Sequence, residues 1–234
     1  MTRAIAALIR HGDYRQIPGA PSALQPFPLT AEGRIQAKRG VEEVKEVLSD
    51  QGWTLCSQID SSRQLRAWQT ADLLAQGLAP ELPGELQILS FDDLAERSVG
   101  AAANLTVAQI ETVLAEDPRF PSPPADWKSN SHYCLPLQGA ESLLDAGLRV
   151  ARHIEQSMQS LAEQSEADCL KLFVGHGAAF RHAAHHLGIL AFEDLARLSM
   201  FHCRPVLIER SAEGRWRHLG GDWKMRRRRE PFID

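Results

Sequence analysis

The chain has 234 residues, of which 44% are hydrophobic and 24% charged, and 26 Lys+Arg against 30 Asp+Glu leave a formal net charge of −4. That composition excludes disordered, collagen-like and coiled-coil chains, and a globule this long buries roughly 70% of its unfolded surface without a metal or disulfide staple. The slightly acidic balance argues against generic nucleic-acid binding, which is usually carried by a strongly basic domain.

Ala4 to Ile9 is a continuous apolar run halted by Arg10-His11-Gly12-Asp13, and reads as a strand buried on both faces. Pro18, Pro21, Pro26 and Pro28 then forbid a helix. Thr30 is placed to cap a helix running to about Ser49, with Ile35, Val41, Val44, Val47 and Leu48 on one apolar face. The unit repeats: a short strand at Gln58 to Ser61, then a helix at Gln64 to Gln76 with Leu65, Trp68, Leu73 and Leu74 as its predicted apolar side, then a strand at Leu86 to Leu89. From Phe91 to Leu137 only Val107 to Ala115 reads as a helix, and five prolines lie between Asp117 and Pro136. Long irregular segments of this kind serve as lids or binding loops.

Regularity returns at Glu141 with a long amphipathic helix, followed by a second buried strand, Cys169 to Val174, stopped by Gly175-His176-Gly177. Ala178 to Leu187 reads as helix, and Pro205 to Glu209 and Trp216 to Leu219 as closing strands. Strands alternating with helices of this length imply an α/β fold, a three-layer α/β/α sandwich with a mostly parallel central sheet. One domain over residues 1–234 is expected, with a lid or insertion at about 91–138 and a basic tail at 224–234 containing Arg226 to Arg229. The longest apolar runs, Ala4 to Ile9 and Ala183 to Phe192, fall short of the ~20 residues that span a bilayer. Cys56, Cys134, Cys169 and Cys203 form no CxxC pair and are expected as free thiols, so the chain reads as cytoplasmic.

Ligands of open α/β sheets bind at the carboxyl ends of strands. Three such ends carry Arg10-His11-Gly12, Ser61 to Thr70 with Arg63 and Arg66, and Gly175-His176-Gly177. Were these strands adjacent, two imidazoles and at least two guanidiniums would converge. The arginines repel a metal cation but suit a phosphoryl group, whose oxygens accept bidentate contacts.

Six ordered blocks carry a family resemblance: Leu8 to Gly12, Leu29 to Gly33, Ser61 to Ala71, Glu96 to Gly100, Gly139 to Ser142, and Val174 to Gly177. Together they resemble the histidine phosphatase superfamily, which includes cofactor-dependent phosphoglycerate mutases and many phosphomonoesterases, and the likeness extends over about the whole chain. It implies a phosphoglycerate mutase-like fold, with His11 as nucleophile, Arg10, Arg66 and His176 as phosphate ligands, and Glu96 as proton donor. Neutral imidazole attacks phosphorus without a separate base, which suits His11 to that part. Gln16 and Arg63 are candidates for substrate contact, Arg63 at the rim, while Arg97 reads as an ion-pair partner and Glu141 as a partner of a helix N-terminus. His182, His185 and His186 lack an acidic partner and any HExxH pattern, so no metal and no cofactor are expected.

The branch is read from substrate contacts. Phosphoglycerate mutases carry ERHYG, an arginine pair in the insertion and HGN, where this chain has ERSVG, the single Arg119 and HGA. A metal-independent phosphomonoesterase is therefore the leading reading. The alternatives are a mutase and, from the RHGDY opening, a phosphoprotein (Ser/Thr) phosphatase. A non-catalytic phospho-ligand-binding protein ranks below both. Expected partners are a phosphorylated small molecule or a phosphoprotein, with no nucleic acid and no membrane; Trp127 and Tyr133 are candidates to cover an apolar leaving group.

Overall fold

The computed structural model describes residues 2–82, 84–211 and 213–226. Its elements in chain order are β1 (Ala4–Arg10), α1 (Ala31–Gln51), β2 (Thr54–Ser62), α2 (Leu65–Leu78), β3 (Gln87–Phe91), α3 (Val107–Glu116), α4 (Leu143–Gln164), β4 (Cys169–Gly175), α5 (Gly177–His186), α6 (Phe192–Leu195), β5 (Leu198–Met200), β6 (Pro205–Arg210), β7 (Trp216–Gly220) and β8 (Trp223–Met225). Six strands form one sheet in the order β3-β2-β4-β1-β6-β7, while β5 and β8 pair separately. β3, β2, β4 and β1 run parallel, and β6 and β7 turn antiparallel at the far edge. The fold is thus α/β with a mostly parallel sheet.

Alternation along β1 sorts the core into two sides, because successive strand residues point to opposite faces. Ile5, Ala7 and Ile9 pack with Val41, Val44 and Leu48 of α1 and Leu74 and Leu78 of α2. Ala4, Ala6 and Leu8 pack with Val150, Ile154 and Met158 of α4 and Phe180 and Ala183 of α5. A third cluster, with Val99, Ile110, Leu114, Trp127 and Leu135, gives the 92–142 segment its own small core. The basic tail expected from residue 224 onward lies outside the described residues after Arg226.

Two helical faces differ from the sequence reading. In α1 the buried face is Gly33, Ala37, Gly40, Val41, Val44 and Leu48, and Ile35 is exposed. In α2 it is Arg66, Ala67, Thr70, Ala71, Leu74, Ala75 and Leu78, leaving Leu65 and Trp68 exposed. The cause is the same in both. Small residues let these helices approach closely, as at Gly40, where a Cβ would stand 2.4 Å from the Cys203 carbonyl oxygen. The contact face therefore follows glycine and alanine rather than the bulkiest side chains. The short β5, α6 and β8 carry too little periodicity to be read from sequence.

One buried polar network crosses the α4 side of the sheet. Asp60 on β2 accepts from Lys171 Nζ at 3.0 Å on β4, from His153 Nε2 at 2.9 Å and Ser157 Oγ at 3.0 Å on α4, and from Gln58 Nε2 at 2.6 Å. Burial pushes the Asp60 carboxyl up, but His153, Lys171 and Gln58 together outweigh it and hold it below its ordinary value.

Candidate active site

β2, β4 and β1 are neighbours, so their carboxyl ends bring Ser62, His176 and His11 side by side. The His11 and His176 ring centroids are 5.0 Å apart. The turn after β1 is pressed against the start of α1. A Cβ on Gly12 would stand 2.5 Å from the Gly33 carbonyl oxygen, and one on Gly33 would stand 2.0 Å from that of Asp13. Thr30, the α1 N-cap, accepts from Gly33 N at 3.0 Å and donates to the Asp13 carboxylate at 2.7 Å. The His11 N–H donates to the Gly175 carbonyl at 3.0 Å, and the Gly12 N–H to Thr70 Oγ1 at 3.0 Å. The backbone on both sides of the His11 side chain is fixed by β4 and α2.

Hydrogen bonds assign the tautomers. His11 Nδ1 lies 2.8 Å from the Gly12 carbonyl, which can only accept, so the proton sits on Nδ1. Nε2 then holds the lone pair and accepts from Arg66 Nε at 3.1 Å. In His176 the order reverses, with Nδ1 accepting from Arg66 Nη2 at 3.2 Å and Nε2 donating to Ser62 Oγ at 2.9 Å. Burial, and then the neighbouring cations led by Arg66, hold both imidazoles well below their ordinary pKa, so both are neutral at pH 7.

Arg66 is fully buried in the first turn of α2. Three main-chain carbonyls of the proline-rich loop grip it from behind. Nη1 donates to Gln25 O at 2.9 Å, and Nη2 donates to Ser22 O at 3.1 Å and Ala23 O at 2.9 Å. The Tyr14 ring covers the guanidinium, with Arg66 Cζ 4.4 Å from its centroid. The loop holds its own path through Gln25, whose Oε1 accepts from Ile17 N at 2.8 Å and whose Nε2 donates to Pro21 O at 2.8 Å. The outcome is a guanidinium whose Nε–Nη2 edge faces both imidazoles. Burial lowers its pKa to about 10, which still leaves it charged at pH 7.

Glu96 is buried, and its Oε1 accepts from Arg97 N at 2.9 Å and from Ala179 N at 3.1 Å in the first turn of α5. Arg66 and Tyr14 are both close enough to feel its charge. Arg10 is half-buried, with Nη1 donating to Met200 O at 3.1 Å and its stem lying against Gly177, where a Cβ would meet Cδ at 3.1 Å. The five residues expected at the core of the site, His11, Arg10, Arg66, Glu96 and His176, therefore come together.

The outlying expectations fare differently. Gln16 is exposed, and the buried glutamine of its loop is Gln25. Arg63 stands at the rim, pairing with Asp92 at 3.1 Å. Arg97 is buried with its guanidinium 5.9 Å from the Trp127 ring centroid, and Glu141 pairs with Arg149 at 2.8 Å while Ser142 caps α4. Trp127 is 1% exposed inside the third core cluster, so it cannot cover a leaving group. His182 is bonded to Ala178 O and Ser131 Oγ, and burial lowers its pKa to about 3.

Sequence reasoning missed four neighbours of the site: Tyr14, Gln25, Thr70 and His202. His202 Nδ1 lies 2.6 Å from the His11 carbonyl oxygen, and its ring centroid is 5.7 Å from that of His11. It arrives from the crossover into β6, 191 residues along the chain, and no local pattern marks it.

The profile of the histidine phosphatase superfamily (branch 1) matches residues 6–220. A search among curated proteins found no significant match. Among solved structures, mycobacterial hydrolase 1 is similar with a TM-score of 0.69 and 23% identity, covering 93% of this chain and 97% of its own. The native structure of mycobacterial glucosyl-3-phosphoglycerate phosphatase Rv2419c is similar at 0.68 and 22%, covering 92% and 97%. Its complex with inorganic phosphate is similar at 0.63 and 23%, covering 94% and 96%. With the strand-end blocks converging in space and the profile running almost from end to end, the chain belongs to the histidine phosphatase superfamily, branch 1.

Proposed function

We propose that the chain hydrolyses phosphomonoesters of small molecules, without a metal, through a phosphohistidine on His11. The observation that carries this reading is the His11 tautomer. A proton fixed on Nδ1 by the Gly12 carbonyl leaves the Nε2 lone pair turned toward a guanidinium edge.

Nε2 attacks phosphorus in line with the leaving oxygen, and a P–N bond forms as the P–O bond breaks. Arg10 and Arg66 supply the positive charge that the equatorial oxygens need in the transition state. His176 in its resting tautomer has only a lone pair at Nδ1. It takes up a proton as the dianion arrives, because a neighbouring negative charge favours imidazolium. Glu96 protonates the leaving oxygen and then accepts a proton from the water that cleaves the P–N bond. Its Oε1 is held by two main-chain N–H groups, so Oε2 is the oxygen for that proton. The glucosyl-3-phosphoglycerate phosphatase likeness supports a phosphorylated small metabolite as the substrate class. The mutase alternative lacks support because Arg119, the single insertion arginine named from sequence, pairs with Asp117 at 2.6 Å.

The direct test is to quench turnover of a radiolabelled phosphomonoester and map the label. An acid-labile, base-stable phosphoryl group on His11 is expected; label elsewhere, or none during a demonstrated burst, overturns the reading. Glu96→Gln is expected to slow hydrolysis by about 10²–10⁴-fold for alkyl phosphates and much less for p-nitrophenyl phosphate, whose leaving group needs no proton. Equal slowing across leaving groups would remove Glu96 from that part.

A further inference from the structure

The mechanism makes no use of the segment that runs from β5 into β6, yet that segment bonds three times to Arg10 and His11. Met200 O accepts from Arg10 Nη1 at 3.1 Å, the Cys203 N–H donates to the Arg10 carbonyl at 2.8 Å, and His202 Nδ1 stands 2.6 Å from the His11 carbonyl. A carbonyl only accepts, so the His202 proton sits on Nδ1. Arg10 and His202 also face each other as an isolated parallel bridge. The segment is itself held in place. β5 pairs with β8, and the Cys203 carbonyl lies so close to α1 that a Cβ on Gly40 would stand 2.4 Å from its oxygen. Cys203 is fully buried and keeps a left-handed φ of 59°, a conformation that is unfavourable for a residue with a Cβ.

The His202 bond completes a clamp on one peptide plane. Between His11 and Gly12, the N–H end of the plane donates to Thr70 Oγ1 at 3.0 Å and the carbonyl end accepts from His202. The next carbonyl, that of Gly12, keeps the His11 proton on Nδ1 and so leaves the lone pair at Nε2. Gly12 has no Cβ to restrict its dihedrals, so the plane depends on these bonds for its orientation. If the plane turned, the Gly12 carbonyl would move with it, and the imidazole that it orients would follow.

Building on the phosphohistidine reading of His11, we propose that His202 is a positioning residue for the nucleophile: its Nδ1–H holds the His11–Gly12 peptide plane so that His11 Nε2 meets phosphorus in line. His202 acts through His11 rather than on the ester. Misplacing a reacting atom by the order of an ångström costs about 10²-fold in rate. The grip on the phosphoryl group belongs to Arg10 and Arg66, which the His202 side chain does not hold. Loss of the Nδ1 donor therefore reaches the rate of the chemical step and spares affinity.

Two replacements of matching shape test this. His202→Asn keeps an N–H donor near the Nδ1 position, and His202→Leu has the same outline with no donor. In quenched single-turnover experiments with p-nitrophenyl phosphate, His202→Leu should slow the saturating rate of phosphohistidine formation by about 10²-fold. The half-saturating concentration should move by less than about 3-fold, and His202→Asn should recover to within about 5-fold of the wild-type rate. His202→Ala is a second variant without the donor and should match His202→Leu, with circular dichroism and melting temperature showing which variants fold. A folded His202→Leu or His202→Ala that forms phosphohistidine near the wild-type rate overturns the inference. So does a folded His202→Asn slowed by about 10²-fold, or a loss that lies in the half-saturating concentration, since the imidazole itself would then be what the reaction needs. A wild type that forms no phosphohistidine on His11 strikes the underlying reading, and this inference with it, before any variant is compared.

Discussion

His11→Ala is expected to lower phosphomonoester turnover on the order of 10⁵-fold, the scale seen when a covalent nucleophile is removed. His176 cannot stand in for it in its present setting, because it presents Nδ1 to Arg66 and turns Nε2 to Ser62. The truncation also leaves the Arg66 Nε–H and the Gly12 carbonyl without their partner, so thermal stability must be measured beside activity. Added imidazole separates the two effects, because a free ring can occupy the vacated space and carry the phosphoryl group. Partial recovery in imidazole with an unchanged melting temperature is the expected pattern. A variant retaining more than about one hundredth of wild-type turnover would contradict nucleophilic catalysis at this position.

The second large effect is on acid stability. His11, His176 and His182 are neutral when folded, with pKa values held down by burial and nearby cations, whereas an unfolded imidazole titrates at about 6.5. Below that pH the unfolded chain binds more protons than the folded one, so stability falls as pH falls. Each buried imidazole contributes a slope of about 1.4 kcal/mol per pH unit, and the three together roughly 4 kcal/mol per unit between pH 6 and pH 5. Asp60 and Glu209, whose carboxyls are lowered against ordinary values of 3.8 and 4.5, stabilise above those values and add a further loss at lower pH. Urea unfolding at half-unit steps from pH 7.5 to pH 5 measures this directly. His182→Gln should flatten the slope by about a third. A flat profile over that range would mean that the buried imidazoles take up protons without unfolding.

The sequence made the central strands and the strand-end chemistry visible because both are local. Ala4 to Ile9 is apolar without interruption, and Arg10-His11-Gly12 follows it directly, so strand and site lie within nine residues of one another. His176 is legible for the same reason. What stayed hidden depends on contacts between distant segments. His202 reaches His11 from the other end of the chain, and Thr70 matters only because α2 sets its hydroxyl beneath the Gly12 amide. Trp127 reads from sequence as a ring lying over a leaving group, whereas it packs at 1% exposure among Val99, Ile110, Leu114 and Leu135. The helical faces of α1 and α2 were misjudged where glycine and alanine, rather than leucine and tryptophan, make the contact.

The guanidinium of Arg66 is aimed by three main-chain oxygens, at Ser22, Ala23 and Gln25, and not by carboxylate side chains. Every amino acid carries such an oxygen. The exposed side chains between Tyr14 and Leu29 take no part in aiming that guanidinium, so substitutions among them that keep the route of the chain should leave Arg66 where it is. Under the proposed function, that separates the grip on the phosphoryl group from the chemistry of the loop surface.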